Sequence, residues 1–189
     1  MKIKNSIISI INESIKTKWK MLEHFQIKCI YNIVSKIIDT YKNNKKIFIY
    51  GNKNSTNNVF YLANGLLSKL NSKTKYILPI QTFILSKSFL TILGVETDQH
   101  CTHVLNKQLE FYARKGDILI VISTTGDSSS SLRILKTAKK IEIFSIGFTD
   151  FYGGKMKDIC DLCYFAPSKN VSRIQECHML LINIIKELL

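Results

Sequence analysis

The stretch GDILIVISTTGDSSSS, residues 116–131, decides the fold. Its first half, GDILIVIS (116–123), is a continuous apolar run, which is typical of a β-strand buried on both faces of a parallel sheet. The second half, TTGDSSSS, is a polar loop, and the pattern of residues 131–140 is helical. A strand, a loop and a helix in this order indicate an α/β protein.

The chain repeats this alternation from residue 47 onward. We predict further strands at IFIYG (47–51), KYILPI (75–80), IEIFSIGF (141–148) and DLCYFA (161–166). We predict helices from the end of the first loop to about Lys69, in broken form over 81–113, and from Val171 to Leu189. Five alternating strands predict an open parallel sheet with helices on both faces, whose ligands bind at the carboxyl ends of the strands.

Residues 3–43 precede the first strand and are predicted to form two amphipathic helices. Their apolar residues recur at helical spacing: Ile3, Ile7, Ile11, Ile15, Trp19 and Leu22, then Ile30, Ile33, Val34, Ile37, Ile38 and Tyr41. Such helices either cover their own domain or form a subunit interface, and we favour the interface. The predicted division is therefore a helical segment at 1–44, used for oligomerisation, and an α/β domain at 45–189.

Two strand-to-helix loops are rich in hydroxyl groups. They are GNKNST (51–56) and STTGDSSS (123–130). Hydroxyls and free backbone N–H groups at a helix N-terminus suit a phosphate, although Ser and Thr at helix starts are often only N-caps. Neither loop matches GxxxxGK[ST] or GxGxxG, so these nucleotide-binding motifs are not supported. Two such loops in one sheet favour a phosphate-ester site.

The net charge of +13, from 27 Lys and Arg against 14 Asp and Glu, would ordinarily suggest a polyanionic partner. However, only Arg114, Arg133 and Arg173 are arginines, and the chain is rich in Lys, Ile and Asn, the residues that AT-rich codons favour. The lysines form no recognised base-reading motif. We attribute most of the charge to codon composition and do not expect direct DNA binding.

The chain lacks the signals of export. MKIKNSIISIINES (1–14) has neither the continuous apolar run nor the cleavage site of a signal peptide, and no apolar stretch reaches the length of about 18 residues that a membrane span needs. Five cysteines, an odd number, suggest reduced thiols. Cys160 and Cys163 lie in a predicted strand without a second pair to complete a zinc site. We expect a cytoplasmic protein without membrane association.

Four segments together resemble one known family. IYGNKNST…YLANGL (49–66), VISTTGDSSSSL (121–132), FYGGKM (151–156) and SRIQECHML (172–180) resemble the sugar isomerase (SIS) domain, and within it the phosphoheptose isomerase subfamily. The resemblance implies a three-layer sandwich, a five-stranded parallel sheet flanked by helices, in a homotetramer with the N-terminal helices between subunits. It also implies phosphate or hydroxyl contacts at Asn52, Ser55, Ser123, Thr124, Thr125 and Ser128.

One branch of this subfamily isomerises sedoheptulose 7-phosphate through an enediol, which requires an acid and a base beside the reacting carbons. That branch has His and Glu four residues apart on the first helix and Gln and His on the last, and these four can also hold zinc. Their positions here are occupied by Tyr61, Gly65, Gln175 and Asn183. The resemblance therefore implies that this chain has no catalytic residue, metal ion or other cofactor. Gln175 is expected to keep a phosphosugar contact.

The other branch consists of DnaA initiator-associating proteins (DiaA), which also lack the catalytic Glu and His. Its C-terminal pattern matches RIQECHML (173–180) followed by Asn183. We predict a non-catalytic homotetrameric adaptor that binds DnaA and promotes initiation of chromosome replication, with a phosphosugar as a further ligand. The alternatives are an active phosphoheptose isomerase and a phosphosugar-binding regulator. His178, among apolar neighbours, is expected to be a packed helix residue.

Overall fold

The computed structural model describes residues 2–51, 55–67, 80–85 and 98–189. The helices are α1 Lys2–Lys20, α2 His24–Lys42, α3 Thr56–Leu67, α4 Asp98–Tyr112, α5 Ser129–Lys140 and α6 Val171–Leu188, with a short 3-10 helix at Gly154–Asp158. The strands are β1 Ile47–Gly51, β2 Thr82–Leu85, β3 Ile118–Ile122, β4 Phe144–Thr149 and β5 Leu162–Phe165.

The five strands form one parallel sheet in the order β2-β1-β3-β4-β5. Side chains alternate across it, so that Ile47 and Ile49 of β1 lie in a core with α2, α3 and α6, while Phe48 and Tyr50 lie in a second core with α4 and α5. The α/β sandwich is confirmed. Strand order reverses between β1 and β3, which makes their carboxyl ends the switch point at which such sheets bind ligands.

The prediction of helix at the start of the 81–113 segment was wrong. Strand β2 is Thr82–Leu85, within a segment predicted to be helical, whereas Ile80 is described outside any strand and residues 75–79 lie outside the described residues. Residues 82–85 form a strand because they pair in parallel with β1, with Ile47 opposite Thr82. The β-branched and aromatic side chains of TFIL fit a sheet edge. Residues 98–112 are helical, as predicted.

Two other predicted boundaries needed correction. The fourth strand begins at Phe144 rather than at residue 141, because Ile141 still caps α5 and Glu142 turns the chain with a φ of +58°. On α6 the predicted buried stripe is confirmed from Ile174 to Ile185, but Leu188 is 61% exposed.

The two N-terminal helices are confirmed as helices, and they pack differently. On α2, Ile33 and Ile37 are fully buried in the core of the sheet. On α1 the only buried residue is Thr17. Its apolar residues are exposed to between 47% and 78%: Ile3, Ile7, Ile8, Ile10, Ile11, Ile15 and Trp19. The division at residue 44 stays a prediction. Within the described ranges, no helix is long and apolar enough to cross a membrane.

Candidate functional site

The two predicted loops leave the sheet side by side at the switch point, because Gly51 at the end of β1 pairs with Ile122 at the end of β3. A Cβ on Gly51 would lie 2.5 Å from Val59 Cγ2 and 3.3 Å from the Ile122 carbonyl oxygen, so glycine is needed for α3 to pack against the strand ends. Ser55, immediately before α3, is buried. The structure thus brings Ser55 close to the second loop, whereas Asn52 lies outside the described residues.

Hydroxyl groups organise the backbone of the second loop. Ser123 Oγ accepts a hydrogen bond of 3.2 Å from the Gly126 N–H, and Thr125 Oγ1 accepts one of 3.3 Å from the Asp127 N–H. Ser123 is buried, Thr124 is half-buried and Thr125 is exposed. Ser123 and Thr125 therefore shape the loop from within, a role that the sequence did not distinguish from phosphate contact.

Ser128 occupies the N-cap position of α5, but its side chain makes no capping hydrogen bond. Instead, Ser128 Oγ lies 3.0 Å from Ser130 Oγ. The Ser128 side chain therefore does not cap α5. Neither α3 nor α5 has an acidic residue in its first turn, so the positive end of each helix dipole is not neutralised there. Two helix N-termini without an acidic residue in the first turn, beside these hydroxyls, favour an anion.

The segment FYGGKM (151–156) braces the second loop. The Met156 N–H donates to the Gly126 carbonyl at 3.1 Å, and the Lys155 N–H donates to Asp127 Oδ1 at 2.9 Å. Gly126 has a φ of +68°, and a Cβ there would overlap the Gly153 carbonyl oxygen. This close backbone contact was not predicted, although the two glycines and the turn were visible in the sequence. The contact holds Gly126 and Asp127 in place directly before the N-terminus of α5.

A second cluster joins α3 to α6. The Tyr61 hydroxyl donates a hydrogen bond of 2.8 Å to Asn183 Oδ1. The Lys186 Nζ lies 3.8 Å from the centre of the Tyr61 ring, and a Cβ on Gly65 would lie 2.5 Å from Lys186 Cγ and Cδ. The structure thus brings together positions 61, 65 and 183. Lys186 was missed, although its i,i+3 spacing from Asn183 places it on the same helix face.

Gln175 lies half-buried on α6, eight residues and about 12 Å of helix before Asn183. Zinc prefers thiolate, imidazole and carboxylate ligands, whereas the four positions at which the family can hold zinc offer a phenol, no side chain and two amides. This donor set does not fit a zinc ion. Among the described residues, no group of three or more His, Cys, Asp and Glu could hold a metal.

His178 is a packed helix residue, as predicted. It is fully buried between the rings of Phe148 and Tyr164, and its Nε2 lies 3.0 Å from the Thr149 carbonyl oxygen, to which it donates as the protonated ring nitrogen. Burial lowers the pKa of His178 to about 4, so the ring is neutral near pH 7. It binds α6 to the end of β4 and contributes no charge to the site.

The sequence and the fold are similar to those of known proteins. The SIS domain model matches residues 12–150. A phosphoheptose isomerase of Clostridium acetobutylicum is 35% identical over 97% of this chain and 92% of its own, and one of Aneurinibacillus thermoaerophilus is 33% identical over 95% and 89%. The solved phosphoheptose isomerase from Francisella tularensis has a TM-score of 0.87 at 25% identity, covering 100% of this chain and 98% of that one. The chain belongs to the phosphoheptose isomerase family of SIS-domain proteins.

These comparisons overturn the functional prediction. Relatives matching nearly the whole chain are named as isomerases, so the predictions of a DnaA-binding adaptor and of a protein without enzymatic activity are wrong. A special closeness to DiaA is not shown either. The error was to equate the replaced side chains at Tyr61, Gly65 and Asn183 with loss of activity. Removing individual groups leaves the binding loops and the rest of the site in place, and these also contribute to catalysis.

Proposed function

We propose that this protein is an aldose–ketose isomerase of a sugar phosphate, and that its substrate is a phosphoheptose such as sedoheptulose 7-phosphate. The observation that carries the proposal is the pair of hydroxyl-bearing loops at the switch point, each leading into a helix without an acidic residue in its first turn. Relatives named phosphoheptose isomerase, 35% and 33% identical, support the substrate class.

In the proposed site the phosphate group binds between the N-termini of α3 and α5. Ser55 and Ser128 supply hydroxyls, and the N-terminus of α5 supplies backbone N–H groups. From Thr56 to Tyr61 the axis of α3 rises by about 8 Å. An extended sugar phosphate anchored at the loops therefore reaches the cluster of Tyr61 and Asn183 with its carbonyl end.

The reaction gains and loses no atoms. A proton leaves the hydroxyl-bearing carbon next to the carbonyl, and one is added to the former carbonyl carbon, while a hydroxyl proton moves between the two oxygens. The intermediate is an enediol or enediolate, so the site must hold negative charge on an oxygen as well as the substrate's phosphate. Fixing both ends of the substrate itself contributes to the rate.

A direct assay tests this proposal. The purified protein is incubated with sedoheptulose 7-phosphate, and the aldose product is quantified by chromatography. We expect turnover, and we expect Ser128→Ala to weaken substrate binding about tenfold or more, because a hydrogen bond to a charged group is lost. Thr137→Ala, two turns further along α5, is the control and should leave binding unchanged. Binding without turnover, by the wild-type protein, would contradict the proposal.

We further propose that the protein acts as a homotetramer assembled through α1. Isolated apolar side chains on a surface are ordinary, but α1 exposes a contiguous row of them on neighbouring turns, including Ile7 at 52%, Ile11 at 52% and Trp19 at 67%. Burying the remaining exposed half of an isoleucine such as Ile11 contributes on the order of 1 kcal/mol. Association of α1 with other copies would remove this surface from water.

We place the protein in the cytoplasm and give it no direct role in binding DNA. The five cysteines are free thiols, which suits a reducing compartment. The charge of +13 is compatible with attraction of an anionic substrate and calls for no nucleic acid partner. Both statements rest on composition and on the proposed activity.

A further inference from the structure

Lys186 belongs to α6, and its side chain lies against two residues of α3. Its Nζ lies 3.8 Å from the centre of the Tyr61 ring, within the range of an attractive cation–π contact. Its aliphatic part crosses Gly65, where a Cβ would lie 2.5 Å from Cγ and Cδ and 2.7 Å from Cε. The Tyr61 hydroxyl is held in turn by Asn183. A phenol, an amide and an ammonium group therefore converge at one point.

The presence of Lys186 and the absence of a side chain at residue 65 are sterically linked. No residue with a Cβ could occupy position 65 while Lys186 keeps this conformation. The same glycine that removes a carboxylate position therefore creates the space that the lysine stem fills. Where the isomerase branch has the negative charge of a Glu, this cluster has a fixed positive charge. The ammonium group offers N–H donors to an oxyanion.

We propose that Lys186 is a catalytic residue that contacts the substrate, and that its ammonium group, in place of a metal ion, holds the negative charge of the enediolate oxygen. This inference rests on the proposed isomerase function. Lys186 moves no carbon-bound proton. It acts by placing a preorganised positive charge where negative charge develops. Tyr61 and Asn183 are positioning residues, because the ring and its hydrogen bond fix the ammonium group.

The donor set of the site agrees with this assignment. The side chains at positions 61, 65, 175 and 183 do not suit a divalent zinc ion, and the ammonium group of Lys186 lies beside three of these positions. Among the described residues, Lys186 places an ammonium group at this cluster.

The experiment compares three variants in the isomerase assay, each run with EDTA and with added Zn²⁺. Lys186→Met keeps an unbranched apolar stem and removes the charge, whereas Lys186→Arg keeps the charge. Gly65→Ala leaves the charge but displaces the stem. The control is Lys36→Met, because Lys36 also lies over a ring, that of Phe144 at 4.8 Å, but on α2.

We expect wild-type turnover to be the same with EDTA and with Zn²⁺. Lys186→Met should lower kcat on the order of 100-fold with KM changed less than about threefold, Lys186→Arg should recover part of the loss, and Lys36→Met should have no effect. Gly65→Ala should also lower kcat, which keeps the test informative should Lys186→Met fold poorly. A purely structural lysine would not give this split between kcat and KM.

Two results would overturn the assignment while leaving the isomerase function intact. One is unchanged kcat in Lys186→Met, and the other is wild-type activity that EDTA abolishes and Zn²⁺ restores. A wild-type protein that binds sedoheptulose 7-phosphate but never converts it would instead refute the isomerase function, and with it the role of Lys186.

Discussion

The hydroxyl of Tyr61 on α3 donates a hydrogen bond of 2.8 Å to Asn183 Oδ1 on α6, across 122 residues of sequence. This bond joins two helices that pack on the same face of the sheet. It also sets the direction of the Tyr61 ring, over which the Lys186 ammonium lies. This contact therefore contributes to the geometry of the α3–α6 cluster.

Tyr61→Phe should lower the free energy of unfolding by about 1 kcal/mol, because a hydrogen bond is lost and the half-buried Asn183 amide loses its donor. The loss is measured by urea unfolding. Tyr31→Phe, at a ring that is 69% exposed on α2, should leave stability unchanged. Equal stability of the Tyr61 variant and the wild-type protein would show that the bond does not contribute to the fold.

Gly126→Ala should abolish the binding of the sugar phosphate and destabilise the fold, because its φ of +68° is strained for alanine and its Cβ would overlap the Gly153 carbonyl. Gly116→Ala is the matched control. Its φ of +94° carries the same kind of strain, but its Cβ would meet only the flexible end of Lys45. Both substitutions should lower the free energy of unfolding by at least about 1 kcal/mol. Only Gly126→Ala should lose binding of the sugar phosphate, as measured by calorimetry. Retained binding in Gly126→Ala would contradict the bracing role of the 151–156 segment.

Stability should fall as the pH drops from about 6.5 to 4 because of His178. Its pKa in the folded protein, about 4, is below the ordinary value of 6.5, so the unfolded chain binds the proton more readily. The stabilisation is complete above pH 6.5 and is lost on acidification, with a total of roughly 3 kcal/mol. Urea midpoints at several pH values measure it.

His178→Gln is the control for this pH dependence, since an amide can still donate to the Thr149 carbonyl but does not titrate in this range. Its stability should change less between pH 6.5 and 4 than that of the wild-type protein. Identical slopes for the two proteins would assign the acid sensitivity to other groups.

Ile11→Lys should reduce the mass of the assembly in analytical ultracentrifugation, since it places a charge in the apolar row of α1, where Ile11 is 52% exposed. Asn5→Lys adds the same charge on the same helix at an exposed polar position and should leave the mass unchanged. A tetramer that persists in Ile11→Lys, or a wild-type monomer, would exclude α1 as the interface.

The sequence by itself determined the class of fold and the position of the two hydroxyl-rich loops. An apolar run such as ILIVI (118–122) is typical of a strand buried on both faces, and a hydroxyl-rich loop after such a strand is expected at the carboxyl end of a parallel sheet. These patterns are local, so they can be read without knowledge of the packing. The resemblance of four motifs added the family.

Only the tertiary structure decided features that depend on contacts between distant segments. Pairing to β1 selected TFIL (82–85) as the second strand, because a short apolar run has no fixed state until a partner is available. The same holds for the α3–α6 cluster. From the sequence, Gly65 was only a missing carboxylate, whereas in the fold its lack of a side chain makes room for Lys186. The packing of α3 against α6 determines which side chain fills the space at Gly65, and this cannot be read from the positions of the residues in the sequence.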